Sequence, residues 1–169
     1  PAEASARVPL LVAGTGIAAD QQVQTPVSLV SLRETLADVG GYEPIEPSSG
    51  ESLTPALDGA EPPARPVLCQ YHSNMQCTGS FMLREGDWKY VAFAGSDPQL
   101  FNLARDPDEM ENLAPERPEL VERMDQTLRG ILDYPLVDRR AKADDRACFD
   151  AWRRGVDDQR FRAALEECY

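Results

Sequence analysis

Histidine is almost missing from these 169 residues: His72 is the only one. A zinc site of the Cys/His type needs several such ligands at short spacing. The four cysteines, Cys69, Cys77, Cys148 and Cys168, contain no C-x-x-C pair, so that class is excluded. Basic side chains are also short, 17 against 29 acidic ones for a formal charge of −12, which speaks against nucleic-acid binding because phosphate affinity comes mainly from Lys and Arg. Long apolar runs are absent. The longest is Val8 to Ala13, whereas a membrane span needs about 20 apolar residues. Pro1 to Ala6 lacks the basic stretch and apolar core of a signal peptide, and the chain opens without Met, which leads us to expect a processed, trimmed or partial protein.

Several chemistries fail for want of a residue. Gly14-Thr-Gly16 follows an apolar run, but neither the Lys-Ser/Thr of a Walker loop nor the third glycine of a dinucleotide loop follows, so these read as turn glycines. His72 and Ser73 are neighbours and point to opposite faces of an extended chain, which argues against a nucleophilic pair. The acidic runs at 106–111 and 157–158 match no EF-hand spacing and read as helix-start charge or a solvated face.

What is present reads as two parts, residues 1–66 and 67–169. Val8–Ala13 is expected to be a strand buried on both faces. Thr25-Pro26 is expected to open a helix with Leu29, Leu32, Leu36 and Val39 along one apolar stripe, ended by Gly40-Gly41. Tyr42 to Pro66 holds six prolines and reads as a long surface connection with one helical turn near Leu53–Leu57. Strands follow at 67–71, 80–84, 88–94 and 99–103, with Glu85-Gly86-Asp87 turning a hairpin of an antiparallel sheet. Asp106-Pro-Asp-Glu109 is expected to cap a short helix through Leu113. Pro118 opens a longer helix with Val121, Met124, Leu128, Ile131 and Leu132 on one face. A charged helix over 138–154 is expected to turn Ala141, Cys148 and Trp152 inward, and 157–168 forms a last short helix with Phe161 and Leu165.

Among possible site residues His72 stands out, at the end of a strand where a Ser-Asn-Met-Gln loop begins. A site role and a structural, hydrogen-bonded role both stay open. Trp88 reads as core. Lys89 reads as a solvated charge on a strand face, with anion contact as the alternative. Cys69 and Cys77 are either bridged or plain thiols.

In order along the chain, these segments resemble the C-terminal part of a type I sulfatase of the alkaline phosphatase superfamily. Phe81-Met-Leu-Arg-Glu-Gly-Asp-Trp-Lys-Tyr-Val91 is similar to that family's R-x-G-x-(W/Y)-K-Y hairpin, and Gln99-Leu-Phe-Asn-Leu-Ala-Arg-Asp-Pro-Asp-Glu-Met-Glu-Asn-Leu-Ala114 to its E-L-Y-D-L-x-x-D-P-x-E-x-x-N-L-A stretch. Ser5 to Gly14 resembles the strand after the catalytic Lys segment. Thr25 to Leu36 resembles the next helix, with Ser31 where Asp is usual and Glu34 where Pro is usual. Gln70-Tyr-His72 resembles the E-Y-H of one bacterial subgroup.

The resemblance implies an α/β fold: the last strand–helix unit of an alkaline-phosphatase-like sheet, then a small four-stranded antiparallel sheet with packed helices. It implies sulfate-ester hydrolysis, with formylglycine as nucleophile and calcium as charge stabiliser, both in an N-terminal catalytic part. The C/S-x-P-x-R motif for formylglycine does not occur here, so neither catalytic nucleophile nor metal ligand is expected in this chain. His72 carries over as a substrate-pocket residue for the leaving group. Implied partners are that N-terminal part and a sulfated small molecule or glycan, in a periplasmic or extracellular setting. The alternatives are a non-catalytic, sulfatase-derived binding domain and the tail of a phosphonate- or phosphate-ester hydrolase.

Overall fold

Short turns between β-rich segments leave an antiparallel meander as the simplest arrangement, and the computed structural model contains one. It describes residues 3–43, 47–73 and 76–167. Strands β1 (Val67–Tyr71), β2 (Ser80–Glu85), β3 (Trp88–Phe93) and β4 (Ser96–Asn102) pair antiparallel in the order β1-β2-β3-β4. Gly86-Asp87 closes the β2–β3 hairpin, with Gly86 at φ 55°. Ala94-Gly95 closes the next, with Gly95 at φ 84°, and β4 starts at Ser96, three residues before the expected start. Pro98 is tolerated because β4 is an edge strand beside an irregularity at Val91/Phe93.

Alternation sorts the sheet into two faces. Phe81, Leu83, Tyr90, Ala92 and Leu100 form the core with Met124 and Leu128 of helix α4 (Pro118–Ile131) and Tyr134 of helix α5 (Tyr134–Arg154). Fully burying each large apolar side chain is worth about 1.5–3 kcal/mol. One carboxylate fastens the layers: Asp125 accepts from the Tyr90 and Tyr134 hydroxyls, both at 2.9 Å, and from Arg129 Nε at 2.5 Å. Burial alone would raise Asp125, but these donors hold it below the usual carboxylate range.

Three expectations fail here, each for a physical reason. Val8–Ala13 forms no strand and Leu11 is 92% exposed, because the described residues offer no parallel neighbour for it to pair with. Preceding it is only the short helix α1 (Glu3–Ala6). The expected helix at 107–113 does not form either. Glu109 sits at φ 56°, Asp106 accepts the amides of Met110 and Glu111, and Asn112 caps Leu100 and Ala114. In α5, which begins at Tyr134 with Asp133 as its cap, only Tyr134 and Asp138 are buried. Cys148 and Trp152 are exposed rather than turned to the core that the sheet makes with α4. Trp152 instead meets Phe149 and Phe161, the latter on helix α6 (Asp158–Glu167). The side chain of Leu165 lies outside the described residues.

Helix α2 (Ser31–Gly40) starts later than Thr25-Pro26 suggests, because Thr25 gives its amide (2.6 Å) and hydroxyl (2.5 Å) to Glu61 instead of capping. Gly41, in the left-handed region at φ 67°, ends it as expected. Its packed face is polar. Thr35 Oγ1 donates to Ser31 O at 2.7 Å and accepts from Leu53 N at 2.8 Å, and Glu34 accepts from Ser48 at 2.5 Å. Asp38 accepts from Ser52 and from Thr54, which opens the one-turn helix α3 (Thr54–Leu57). Gly50 lies so close to Val30 O that a Cβ would sit 2.5 Å away. Most of the apolar stripe therefore faces outward, with Leu29, Leu36 and Val39 53%, 71% and 64% exposed and Leu32 half-buried.

Candidate functional site

His72 leaves the end of β1 on the same face as Phe81, since Gln70 pairs with Phe81 and His72 follows two residues on. The imidazole stands edge-on to Phe81, with centroids 5.2 Å apart and planes at 78°. Phe81 in turn packs on Tyr134. The other wall is Gly79, where a Cβ would lie 2.6 Å from Cε1 and 2.7 Å from Nδ1 of the ring. Only glycine leaves room for this ring position.

Asp138, 4% exposed, holds Gly79 in place. Its Oδ1 accepts the Gly79 amide at 2.7 Å, and its Oδ2 pairs with Lys142 at 2.7 Å. Burial pushes this carboxyl up, but the Gly79 amide, Lys142 and the charge of His72 outweigh it and hold it below the usual range. Thr78 adds a second anchor through both backbone groups of Ala94. The β1–β2 loop is thus pinned at its far end while His72 sits at its near end. Asn74 and Met75 lie outside the described residues.

Buried in this setting, His72 Nε2 has no hydrogen-bond partner among the described residues. A ring nitrogen must be donor or acceptor, and leaving it unmade is unfavourable. The ring is held by its sides and has its Nε2 left over for something else. Sequence reasoning located His72 but not Asp138 or Gly79; only the Lys142 partner, four residues on, is a local signal.

The hairpin residues fare differently. Trp88 is half-buried against the core, as expected. Lys89 is not a solvated charge: its side chain is 0% exposed, bonded to Glu109 at 2.6 Å, with Glu3 at 3.9 Å. The Glu3 amide also bonds Glu109. Cys69, Cys77 and Cys148 are free thiols, and Cys168 lies outside the described residues. Among the described residues, no three His, Cys, Asp or Glu side chains are grouped to hold a metal ion. No helix among them is long and apolar enough to cross a membrane.

No protein-family model matches the chain. Curated proteins do. It is 39% identical over 167 residues to arylsulfatase K of Mus musculus and 35% identical over 164 residues to arylsulfatase K of Danio rerio, matching 91% and 92% of this chain. The chain is related to the sulfatases, through their C-terminal portion. It spans 30% and 31% of the length of those two relatives. Among solved structures, a putative sulfatase from Bacteroides thetaiotaomicron matches 67% of the chain, and 25% of itself, at TM-score 0.50 and 29% identity. A 2-O GAG sulfatase matches the same shares at TM-score 0.50 and 27% identity. The phosphonate monoester hydrolase of Agrobacterium radiobacter matches 64% of the chain and 26% of itself, at TM-score 0.55 and 26% identity. This sulfatase-related chain has the α/β architecture those neighbours share.

Proposed function

We propose that this sulfatase-related chain serves as the C-terminal part of a sulfuric-ester hydrolase, where His72 lines the leaving-group side of the substrate pocket. One observation carries the residue assignment: Nε2 is buried and unpartnered on a ring otherwise fixed by Phe81 and Gly79. A donor in that state is preorganised for charge that develops on a departing oxygen. Positioning falls to Asp138, which holds the Gly79 wall, and to Phe81, which sets the ring plane.

Calcium and formylglycine, which the sulfatase relationship implies, do not fit the residues present. There is no grouped acidic donor set among the described residues and no C/S-x-P-x-R motif. Both belong, on this reading, to an N-terminal catalytic part. The substrate would be a sulfated small molecule or glycan; the likeness to a 2-O GAG sulfatase supports the glycan. A periplasmic or extracellular setting accompanies the reading.

A second reading has its own support. The Agrobacterium phosphonate monoester hydrolase aligns at a higher TM-score, 0.55, than the two sulfatases. Assaying the complete protein with 4-nitrophenyl sulfate and with a phenylphosphonate monoester separates the two. Sulfate-ester turnover that falls at least tenfold in His72→Ala, with the 169-residue chain inert alone, supports the first reading. Phosphonate turnover alone moves the chain to the second. Sulfatase activity unchanged by His72→Ala removes His72 from the site.

A further inference from the structure

Arg84 pairs in register with Lys89 across β2 and β3, so two cations lie side by side on the face of the sheet turned away from α4. The fold treats them differently. Lys89 is neutralised by Glu109 and Glu3. Arg84 has no such partner: its Nε and Nη1 are buried without a hydrogen bond, and no carboxylate among the described residues pairs with it. A lysine in this position can shed its proton, whereas a guanidinium stays charged and keeps its fork of donors. Buried polar atoms of native proteins are almost always satisfied, so an orphaned guanidinium marks a missing acceptor.

Geometry says where the acceptor comes from. Glu3 reaches the Lys89–Glu109 pair, so the chain enters the fold over this face, next to Arg84. The matched relatives are about three times as long, and the extra length lies N-terminal to the matched portion. We propose that Arg84 is a docking residue, whose guanidinium takes a side-chain carboxylate from that preceding portion. The inference rests on the reading of this chain as one part of a longer protein, but not on what that protein hydrolyses.

The test compares two proteins, the 169-residue chain and the complete protein, each as wild type, Arg84→Met and Arg84→Lys. The readout is hydrogen exchange, by mass spectrometry, of peptides covering 80–93. In the isolated chain Arg84→Met should slow exchange or leave it unchanged, because it removes an uncompensated cation. In the complete protein it should speed exchange on the order of tenfold, and Arg84→Lys should do so too, because a shorter-reaching ammonium cannot place donors where the planar guanidinium holds them. Slower exchange in both contexts means that Arg84 has no partner, and faster exchange in both places its partner within these 169 residues. Either result overturns the proposal. So does an Arg84-dependent slowing of exchange in the isolated chain by sodium sulfate, against chloride at equal ionic strength, with no sign change in the complete protein. That result assigns the site to a free oxyanion. Should Arg84→Met fail to fold, Arg84→Lys keeps the charge and decides alone. A complete protein without esterase activity that still shows the sign change keeps the docking residue and loses only the catalytic reading.

Discussion

The Asp138 carboxylate accepts the Gly79 amide at 2.7 Å across 59 residues of sequence, tying α5 to the loop that begins at His72. Gly79 is also one wall of the imidazole site, so the helix reaches the ring through this backbone group as well as through Tyr134 against Phe81. Substituting Asp138 with Ala should destabilise the chain by about 1–3 kcal/mol, because it leaves a buried amide unsatisfied. Urea unfolding measures the loss. An effect within 0.5 kcal/mol, the range of ordinary surface changes, would show that the bond contributes nothing.

Gly79→Ala attacks the same contact sterically. Its Cβ would meet His72 Cε1 at 2.6 Å and Phe81 Cε2 at 3.2 Å. We expect the imidazole to leave its position, at an overall cost of about 1–3 kcal/mol. The chain has one histidine, so its ring resonances identify themselves in an NMR spectrum. Unchanged His72 shifts in Gly79→Ala would contradict this packing.

Much of this was readable in advance, and the remainder failed for definable reasons. The Gly86-Asp87 hairpin and the α4 stripe are local patterns; the hairpin holds, and the stripe holds at Val121, Met124, Leu128 and Leu132 but not at Ile131, which is 49% exposed. Glu109 is different: its residue type suits a capping box, but the buried Lys89 ammonium twenty residues earlier takes its carboxylate and the helix is lost. Local propensity yields there to a tertiary charge requirement. The α2 stripe is apolar as its spacing says, but periodicity identifies a face without saying whether the chain supplies its cover. His72 was legible as a polar residue ending a strand. Asp138 was not, since no local pattern links it to Gly79.

Stability should depend on pH at both extremes. Asp138 and Asp125 are held below their ordinary values, so their contribution is present above about pH 4 and is lost as pH falls through the lower folded values. Tyr90 and Tyr134 are pushed up, by burial first and then by Asp125. Their contribution is complete below about pH 10 and is lost as pH rises beyond it. Urea midpoints from pH 2 to 11 should therefore trace a plateau with two falling flanks, and Tyr90→Phe should flatten the alkaline one. A midpoint that climbs above pH 10 would refute the assignment.

Lys89 and Glu109 form a buried pair, and breaking it from one side leaves a charge without a partner. Lys89→Met and Glu109→Gln should each cost about 3–5 kcal/mol, and the double variant clearly less than their sum. Additive losses in a double-mutant cycle would mean that the two residues do not act together.

Leu11, Leu29, Leu36 and Val39 keep much of their surface in water. The isolated chain should therefore bind a hydrophobic dye or self-associate, and Leu36→Ser with Val39→Ser should reduce both. A dye-negative, monodisperse wild-type chain in analytical ultracentrifugation would count against an uncovered apolar face.

The inverted packing of α2 also bears on heat. Ser31, Glu34 and Thr35 withdraw hydroxyls and a carboxylate from water, while the sheet and α4 withdraw aromatic and aliphatic side chains. The heat-capacity change of unfolding rises with apolar exposure and falls with polar exposure. The larger part of the curvature in this chain's stability against temperature should then originate in residues beyond 66. The α2 layer, held by short polar bonds, should loosen on warming with little curvature of its own and should be largely indifferent to cold. Two thermal regimes are thus joined in one polypeptide, and calorimetry would register the first as a shallow slope ahead of the main peak.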